Sequence, residues 1–410
     1  MSRLDIKEKA IEVLKEGFVC DRCLGRNFAQ LLSGMSNEER GKIIRNYLAM
    51  LVDSGEDFNI NDSNFYGIKF HIKKFEPKKP KKCSVCFDLF PELKKKTKLI
   101  VNELKKYDYR TFLVGCRLTS KLIGREQEVW GKVGIDWCES IKSEINREIG
   151  KEVSKLTGKD MDRKLPDIVI TFDLNNEDID LDVRSIYVYG KYQKLVRGIP
   201  QTKWKKKVFP TSVQEIIEKP FLKQTKSEES SFHGSGREDV DVRCLGWRPF
   251  VLELISPRER KLKLKDVLGQ VNKSKKVKVK NLKIVGKELV RKIKFANHDK
   301  TYRAIVEFEN PVEDLKRVNE LKGMIISQKT PTRVLRRRSD RVRRRKIVDI
   351  RFKLLGKKKV EFQIKTQAGV YIKELINGDE GRTEPSISGL LDNRVRNIDL
   401  DVVKIWARED

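Results

Sequence analysis

Apolar positions in the first part of the chain switch between helical and strand spacing. Leu4, Ile6, Ala10, Ile11 and Leu14 fall near helical spacing over residues 4–16, and residues 38–52 (EERGKIIRNYLAMLV) predict a second amphipathic helix. Residues 65–75 (FYGIKFHIKKF) alternate as a strand does. Strand-like runs at 111–118 (TFLVGCRL) and 167–174 (DIVITFDL) bracket a helix around 137–157. A new series of strands opens with SIYVYGKY at Ser185, which puts a domain boundary at about residue 180. Beyond it, strands are expected at 239–246 (DVDVRCLG), 249–256 (PFVLELIS), 301–308 (TYRAIVEF), 348–355 (VDIRFKLL), 359–366 (KVEFQIKT) and 400–407 (LDVVKIWA), with helices between them. Many of these alternate, as suits a sheet with one covered face. The pattern predicts an α+β protein. An α/β domain over 1–180 precedes a domain over 181–410 with a mixed, mainly antiparallel sheet flanked by helices. No repeat is visible, and the lysine-dense stretch 261–294 comes nearest to low complexity.

Composition changes this picture in one respect. The 410 residues include 90 Lys and Arg against 60 Asp and Glu, a net charge of +30. Residues 1–200 hold 38 basic and 31 acidic residues (+7), whereas 201–410 hold 52 and 29 (+23). A surface rich in solvated Lys and Glu would explain 37% charged residues but not this imbalance. The excess favours a polyanionic partner, nucleic acid before membrane. No apolar run approaches 18 residues, so no membrane-spanning helix is expected. The first residues are charged and amphipathic rather than signal-like, and we expect a cytoplasmic protein.

In that compartment the seven cysteines are expected to be metal-bound or free rather than paired in disulfides. Cys20-Asp-Arg-Cys23 and Cys83-Ser-Val-Cys86 form two CxxC turns. Each turn can point two thiolates at one tetrahedral ion, and two turns complete a four-cysteine structural zinc site. Redox motifs do not normally come in duplicate, and a closed four-thiolate site has no open position for catalysis. Cys116, Cys138 and Cys244 read as ordinary buried thiols.

The segment Gly234-Ser-Gly-Arg-Glu-Asp-Val-Asp-Val-Arg243 is the most unusual in the chain. A Gly-Ser-Gly loop delivers three acids to the predicted start of a strand. Asp239 and Asp241 are then expected on one face and Glu238 on the other. Such a carboxylate can act as nucleophile, base or metal ligand. The commoner alternative is a strand-end acid paired with Arg237 or Arg243. The run GREDVDVRCLGWRPFVLEL resembles the catalytic segment of the archaeal-type tRNA pseudouridine synthases of the Pus-ten family. NHDKTYRAIVEF resembles that family's Lys-x-Tyr strand, shared with TruB-like enzymes, and QAGVYIKELINGDEGRTEPS its Gly-x-Tyr-Ile-Arg/Lys segment. YGKYQKLVRGIPQTKW resembles the segment just ahead of the family's catalytic core. The two CxxC pairs, with the CLGR that begins at Cys23, resemble the family's zinc-containing THUMP region. The segments occur in the family's order over nearly the whole chain.

The resemblance implies a THUMP-containing tRNA-binding domain and a catalytic domain with the pseudouridine synthase fold. It implies that Asp239 is the catalytic aspartate and that Tyr302 stacks on the target base. Lys373 stands where related enzymes often carry an arginine paired with that aspartate; lysine keeps the charge but loses the planar fork. Tyr371, Arg237 and Arg382 are further substrate-binding candidates. The targets implied are uridines 54 and 55 of the tRNA T-arm, one or both. In related proteins the THUMP region contacts the acceptor end of the tRNA. The reaction breaks the N1–C1′ bond, turns the uracil and joins its C5 to C1′. Asp239 would either attack C1′ or take the C2′ proton to give a glycal. The reaction is redox-neutral, and no glycine-rich nucleotide or methyl-donor loop is visible, so no organic cofactor is expected. Extruding the uridine costs roughly a few kcal/mol. Lys203–Lys207, residues 261–294 and Arg336–Lys346 are candidates to hold the RNA meanwhile. Two alternatives remain open on sequence. One is another THUMP-bearing tRNA enzyme, a methyltransferase or thiouridine synthase. The other is a non-catalytic RNA-binding or assembly factor. No obligate protein partner is expected.

Overall fold

The computed structural model describes residues 4–74, 76–204 and 208–407. The chain divides into two compact units, Met1–Arg184 and Ser185–Asp410.

The first unit opens with helices α1 (Ile6–Lys15), α2 (Asp21–Arg26) and α3 (Asn37–Asp53). Ser36 starts α3 with a capping box: its side chain accepts from the Glu39 amide while Glu39 reaches back to the Ser36 amide. The helices α4 (Leu89–Leu104), α5 (Ser120–Val133) and α6 (Ile141–Thr157) accompany a small sheet. Its order is β2 (Asp160–Met161), β1 (Thr111–Arg117), β3 (Ile168–Asp173), β4 (Ile179–Val183). β1 runs parallel to both neighbours, and β4 is antiparallel to β3, so β4 still belongs to this unit. Helix α5 was not expected from the sequence. The strand expected over 65–75 is absent. Asp62–Phe65 is a 3-10 turn, and the Phe65 and Phe70 rings meet edge to face at 5.9 Å. The amides of His71, Ile72 and Lys73 donate to the Asp53 carboxylate at 2.9–3.0 Å, so these donors go to a side chain instead of a neighbouring strand. Phe75 lies outside the described residues.

The second unit is built on a ten-stranded sheet. Its strands are β5 (Ile186–Lys194), β6 (Glu229–Gly234), β7 (Arg243–Ile255), β8 (Val277–Val285), β9 (Lys300–Phe308), β10 (Ile325–Gln328), β11 (Arg343–Gly356), β12 (Lys359–Thr366), β13 (Thr383–Glu384) and β14 (Val395–Ile405). The order is β13-β10-β11-β12-β9-β14-β7-β5-β8, with β6 paired to β7. Every pairing is antiparallel except β14 with β7. Helices α7 (Val213–Thr225) and α8 (Leu264–Asn272) bury Ile217, Phe221, Val267 and Val271 against β5, β7 and β8. Helices α10 (Ile372–Asn377) and α11 (Ile387–Leu391) cover the β9, β12 and β14 side through Ile372, Leu375 and Ile387. The lysine-dense stretch is not low in structure. It folds as α8, β8 and α9 (Glu288–Phe295), with valines inward and lysines such as Lys275, Lys278, Lys283 and Lys292 exposed.

The split in this sheet positions the site. The two strands expected at 239–246 and 249–256 are one, β7, and it begins only at Arg243. Its start pairs with β14 through Asp401–Arg243 and Val402–Cys244. Its far end, Phe250–Ile255, pairs with β6. Residues 235–242 therefore leave the sheet where β6 gives way to β14.

Candidate functional site

Asp239 sits in this loop, in a turn closed by the Val242 amide donating to the Asp239 carbonyl at 3.1 Å, and not in a strand as the alternation suggested. The facing was nonetheless legible: Glu238 is buried, while Asp239 and Asp241 look outward with side chains 43% and 63% exposed. Gly236, at φ +71°, makes the loop's reversal. A Cβ there would press on Arg248 Nη1 at 3.3 Å.

Under the loop lies a buried polar cluster that the sequence did not announce. Glu238 and Arg248, both essentially inaccessible, meet at 3.0 Å, an ion contact without the alignment of a hydrogen bond. Arg248 Nη1 donates to the Ser235 carbonyl at 2.8 Å. The Tyr192 hydroxyl donates to Glu238 at 3.1 Å and accepts from Gln201, which also donates to the Gly236 carbonyl at 2.9 Å. Burial pushes the Tyr192 phenol well above its ordinary range, with the Glu238 charge adding to it.

Tyr302 lies in β9 opposite Ile364 of β12 and Val402 of β14. Burial raises its phenol to about 12. The positive charge of Arg248 opposes this shift, while Cys244 and the carboxylates of Asp239 and Glu238 add to it. Tyr302 therefore stays a neutral phenol within electrostatic reach of Asp239. Two residues earlier, burial and then the charge of Arg248 lower Lys300 to about 8.

The partner of Asp239 differs from the one expected. Lys373 Nζ contacts Asp241 Oδ2 at 2.6 Å, not Asp239. Burial alone would raise the Asp241 carboxyl; the Lys373 hydrogen bond and charge outweigh it and hold it below the usual range. Asp239 instead faces Arg333 Nη1 at 3.0 Å. Arg333 also donates from Nε to the buried Glu374 at 2.6 Å, so Glu374 aims the guanidinium at Asp239. Lys373 stands one residue before Glu374, in the first turn of α10, within reach of Asp241. The alternative pairing is also absent: Arg243 binds the buried Asp401, which Arg197 and Arg303 also contact.

The remaining candidates fall around this pair. The Tyr371 hydroxyl accepts from Arg338 at 2.9 Å, and the guanidinium of Arg343 lies 5.7 Å from its ring centre. Arg382 is engaged within the protein, bracing the arginine-rich segment through the Thr330 carbonyl (2.9 and 3.1 Å) and Asp340 (2.5 Å). Arg237 is exposed on the Asp239 loop. Arg336, Arg337, Arg338, Arg341 and Arg344 are exposed, and Arg337 stacks on Trp204 at 5.6 Å. Lys205–Lys207 lie outside the described residues.

In the first unit Cys20, Cys23, Cys83 and Cys86 come together with all four sulfurs within 4.8 Å of one another. Cys20 and Cys86 are 3.8 Å apart, which matches the edge of a tetrahedron with metal–sulfur bonds of about 2.3 Å. Arg26, in CLGR, is buried with Nη1 3.7 Å from Cys23 Sγ and offsets negative charge there. Gly25 of the same motif is required by packing, because a Cβ would lie 1.9 Å from the Asn37 carbonyl oxygen at the crossing of α2 and α3. Cys116 and Cys244 are buried as expected; Cys138 is only half-buried, 3.6 Å from Lys9 Nζ.

Two family models match the chain: "Pus10, C-terminal" over residues 187–406 and "Pus10 THUMP domain, archaeal" over 97–173. The tRNA pseudouridine synthase Pus10 of Pyrococcus furiosus is 39% identical over 98% of this chain and 98% of its own length. The chain belongs to the Pus10 family of tRNA pseudouridine synthases. Other Pus10 relatives are those of Thermofilum pendens, 37% identical over 97% of this chain and 95% of that protein, and Methanocaldococcus jannaschii, 38% identical over 96% and 93%. Among solved structures, a chain of a Cbf5-Nop10-Gar1 complex is similar over 53% of this chain and 50% of its own, at 16% identity and a TM-score of 0.31. Membership in the Pus10 family makes the chain an enzyme, an isomerase. Among the described residues no helix is long and apolar enough to cross a membrane.

Proposed function

We propose that this tRNA pseudouridine synthase isomerises uridine 54, uridine 55 or both in the T-arm, with Asp239 as the catalytic carboxylate. The observation that carries the reading is the arrangement around Asp239. It is an outward-facing carboxylate on a loop anchored from beneath, with a guanidinium at 3.0 Å and a neutral tyrosine nearby. Asp239 either attacks C1′ or removes the C2′ proton, and Arg333, 3.0 Å away, orients it for either route. Tyr302 offers its ring to the extruded base. Arg237, Tyr371 and the exposed arginines 336–344 contact the RNA, with affinity that falls steeply with salt. Lys373 acts indirectly, by holding Asp241 on the same loop. Arg382 supports the arginine segment from within.

The four cysteines hold one structural zinc ion, whose part is to close the α2 knuckle onto the 83–86 turn. Residues 1–180 act as the zinc- and THUMP-containing tRNA-binding region and 181–410 as the catalytic domain. The protein works in the cytoplasm without an organic cofactor or an obligate protein partner. The test is to incubate the purified protein with an unmodified tRNA transcript, adding nothing else, and to map pseudouridine by position. The reading requires product at 54 or 55 with the wild type and none with Asp239→Ala. Product confined to another arm of the tRNA overturns the T-arm assignment.

A further inference from the structure

Asp239 is useful only if its loop holds still, and the loop's backbone shows what holds it. Three consecutive carbonyls accept hydrogen bonds from the single segment Lys194–Gly198. Asp239 O accepts from Lys194 Nζ at 2.9 Å. Val240 O accepts from Lys194 Nζ at 3.1 Å and from the Gly198 amide at 2.9 Å. Asp241 O accepts from Arg197 Nη1 at 2.6 Å. The third Lys194 bond goes to the Ile199 carbonyl at 3.0 Å, so all three ammonium donors are used and none meets a carboxylate.

Lys194 is fully buried at the end of β5, opposite Cys244 of β7. Burial lowers its pKa, as expected for an ammonium taken out of water, with the Glu238 charge partly countering. A methionine of similar length would fill the same space at no desolvation cost. What the ammonium adds is directional: three donors aimed at carbonyls, two of them those of Asp239 and Val240. Arg197 is a poorer candidate for this task, because it also serves Leu400 O and the buried Asp401 and so belongs to the β14 junction.

We propose that Lys194 is a positioning residue for Asp239, a buried clamp that fixes the catalytic loop through its backbone. The proposal rests on Asp239 being the catalytic carboxylate. Lys194 touches neither RNA nor the reacting atoms and acts through main-chain geometry. Misplacing a reacting group by about 1 Å can cost on the order of 10²-fold in rate.

The test compares wild type, Lys194→Met, Lys194→Gln and Asp239→Ala in three measurements. These are single-turnover pseudouridine formation at saturating tRNA, tRNA affinity, and amide hydrogen exchange. Lys194→Met is expected to lose on the order of 10²-fold in rate, with tRNA affinity within about threefold of wild type. Exchange over 238–242 should quicken by about tenfold or more while β12 exchanges as before. Lys194→Gln, which keeps two donors without the charge, is expected to fall between; it carries the test if the Met variant does not fold. A rate within about threefold of wild type in the folded variant, or unchanged exchange over 238–242, overturns the positioning role. A rate loss that follows tRNA affinity overturns it too. Full activity in Asp239→Ala overturns the carboxylate reading itself, and the positioning role with it.

Discussion

The cysteine cluster and the Asp239 loop are both assembled from distant parts of the chain, yet they depend on their surroundings in opposite ways. At the cysteine cluster the four ligands carry the chemistry, and the fold has only to bring two CxxC turns together. At the Asp239 loop the acid is an ordinary residue. Its neighbours make it a site: Arg333 and Glu374 in front, Tyr302 beside it, Glu238 and Arg248 beneath, Lys194 behind. One site is written in its ligands and the other in the sheet that splits around it. The first should therefore fail as a unit when one ligand is lost, and the second should fail by degrees as its supports are removed.

The largest effect is expected at the cysteines. Structural zinc contributes about 10–16 kcal/mol of apparent binding free energy in small zinc modules, most of it coupled to folding. Cys83→Ser should reduce bound metal from one ion per chain to near none and abolish cooperative melting of residues 1–184. Metal analysis and calorimetry check this, and unchanged metal content contradicts the four-cysteine site.

Next is the support under the loop. Glu238→Gln leaves Arg248 buried without its counter-charge, a change worth about 3–5 kcal/mol. The denaturation midpoint of the second unit should fall accordingly, with the metal content untouched. A variant as stable as wild type would mean that the pair does not hold the loop.

In front of the carboxylate, Arg333→Met should lower single-turnover pseudouridine formation by about 10²-fold, the lower range for a group acting on the catalytic carboxylate. Lys373→Met, which loses only the contact with the exposed Asp241, should cost about tenfold or less. The reverse order would return Lys373 to the place of the family's arginine.

The smallest effect concerns pH. Lys300 is held at about 8 in the folded protein, below its ordinary value of about 10.4 in an unfolded chain. Between those values the unfolded state binds more protons, so this group's contribution to stability rises with pH and is lost as pH falls through about 8. Lys300→Met should therefore gain roughly 1–2 kcal/mol relative to wild type at pH 7, and less at pH 10. Urea midpoints at the two pH values measure the difference; a pH-independent difference contradicts it.

These contrasts also show how much could be read from the sequence. The four-cysteine cluster was legible because the CxxC spacing carries it. The main sheet was legible where strands alternate against one covered face, as in β9 and β12. The reading failed where local pattern and tertiary partner disagree. Residues 65–75 alternate, but Asp53 takes the backbone donors that a strand would use. Residues 239–242 alternate too, but their carbonyls go to Lys194, Arg197 and the Gly198 amide, and the Val242 amide turns back onto Asp239. Asp239 was singled out through its ordered motifs. Its partner was not, because Arg333 lies 94 positions away in a segment of many arginines, and only the Glu374 contact singles it out. Lys194 carried no signal among 90 basic residues, since its distinction is complete burial.

The most direct test of the central claim uses the two acids that a strand would have made equivalent. Single-turnover pseudouridine formation should be measured for Asp239→Asn and Asp241→Asn on the same tRNA transcript. Asp239→Asn should lose up to about 10⁴-fold, the upper range for a catalytic acid or base. Asp241→Asn should stay within about tenfold of wild type, since it gives up only an exposed pair with Lys373. If Asp241→Asn is the inactive variant, or if Asp239→Asn keeps near-normal activity, the catalytic carboxylate is not Asp239.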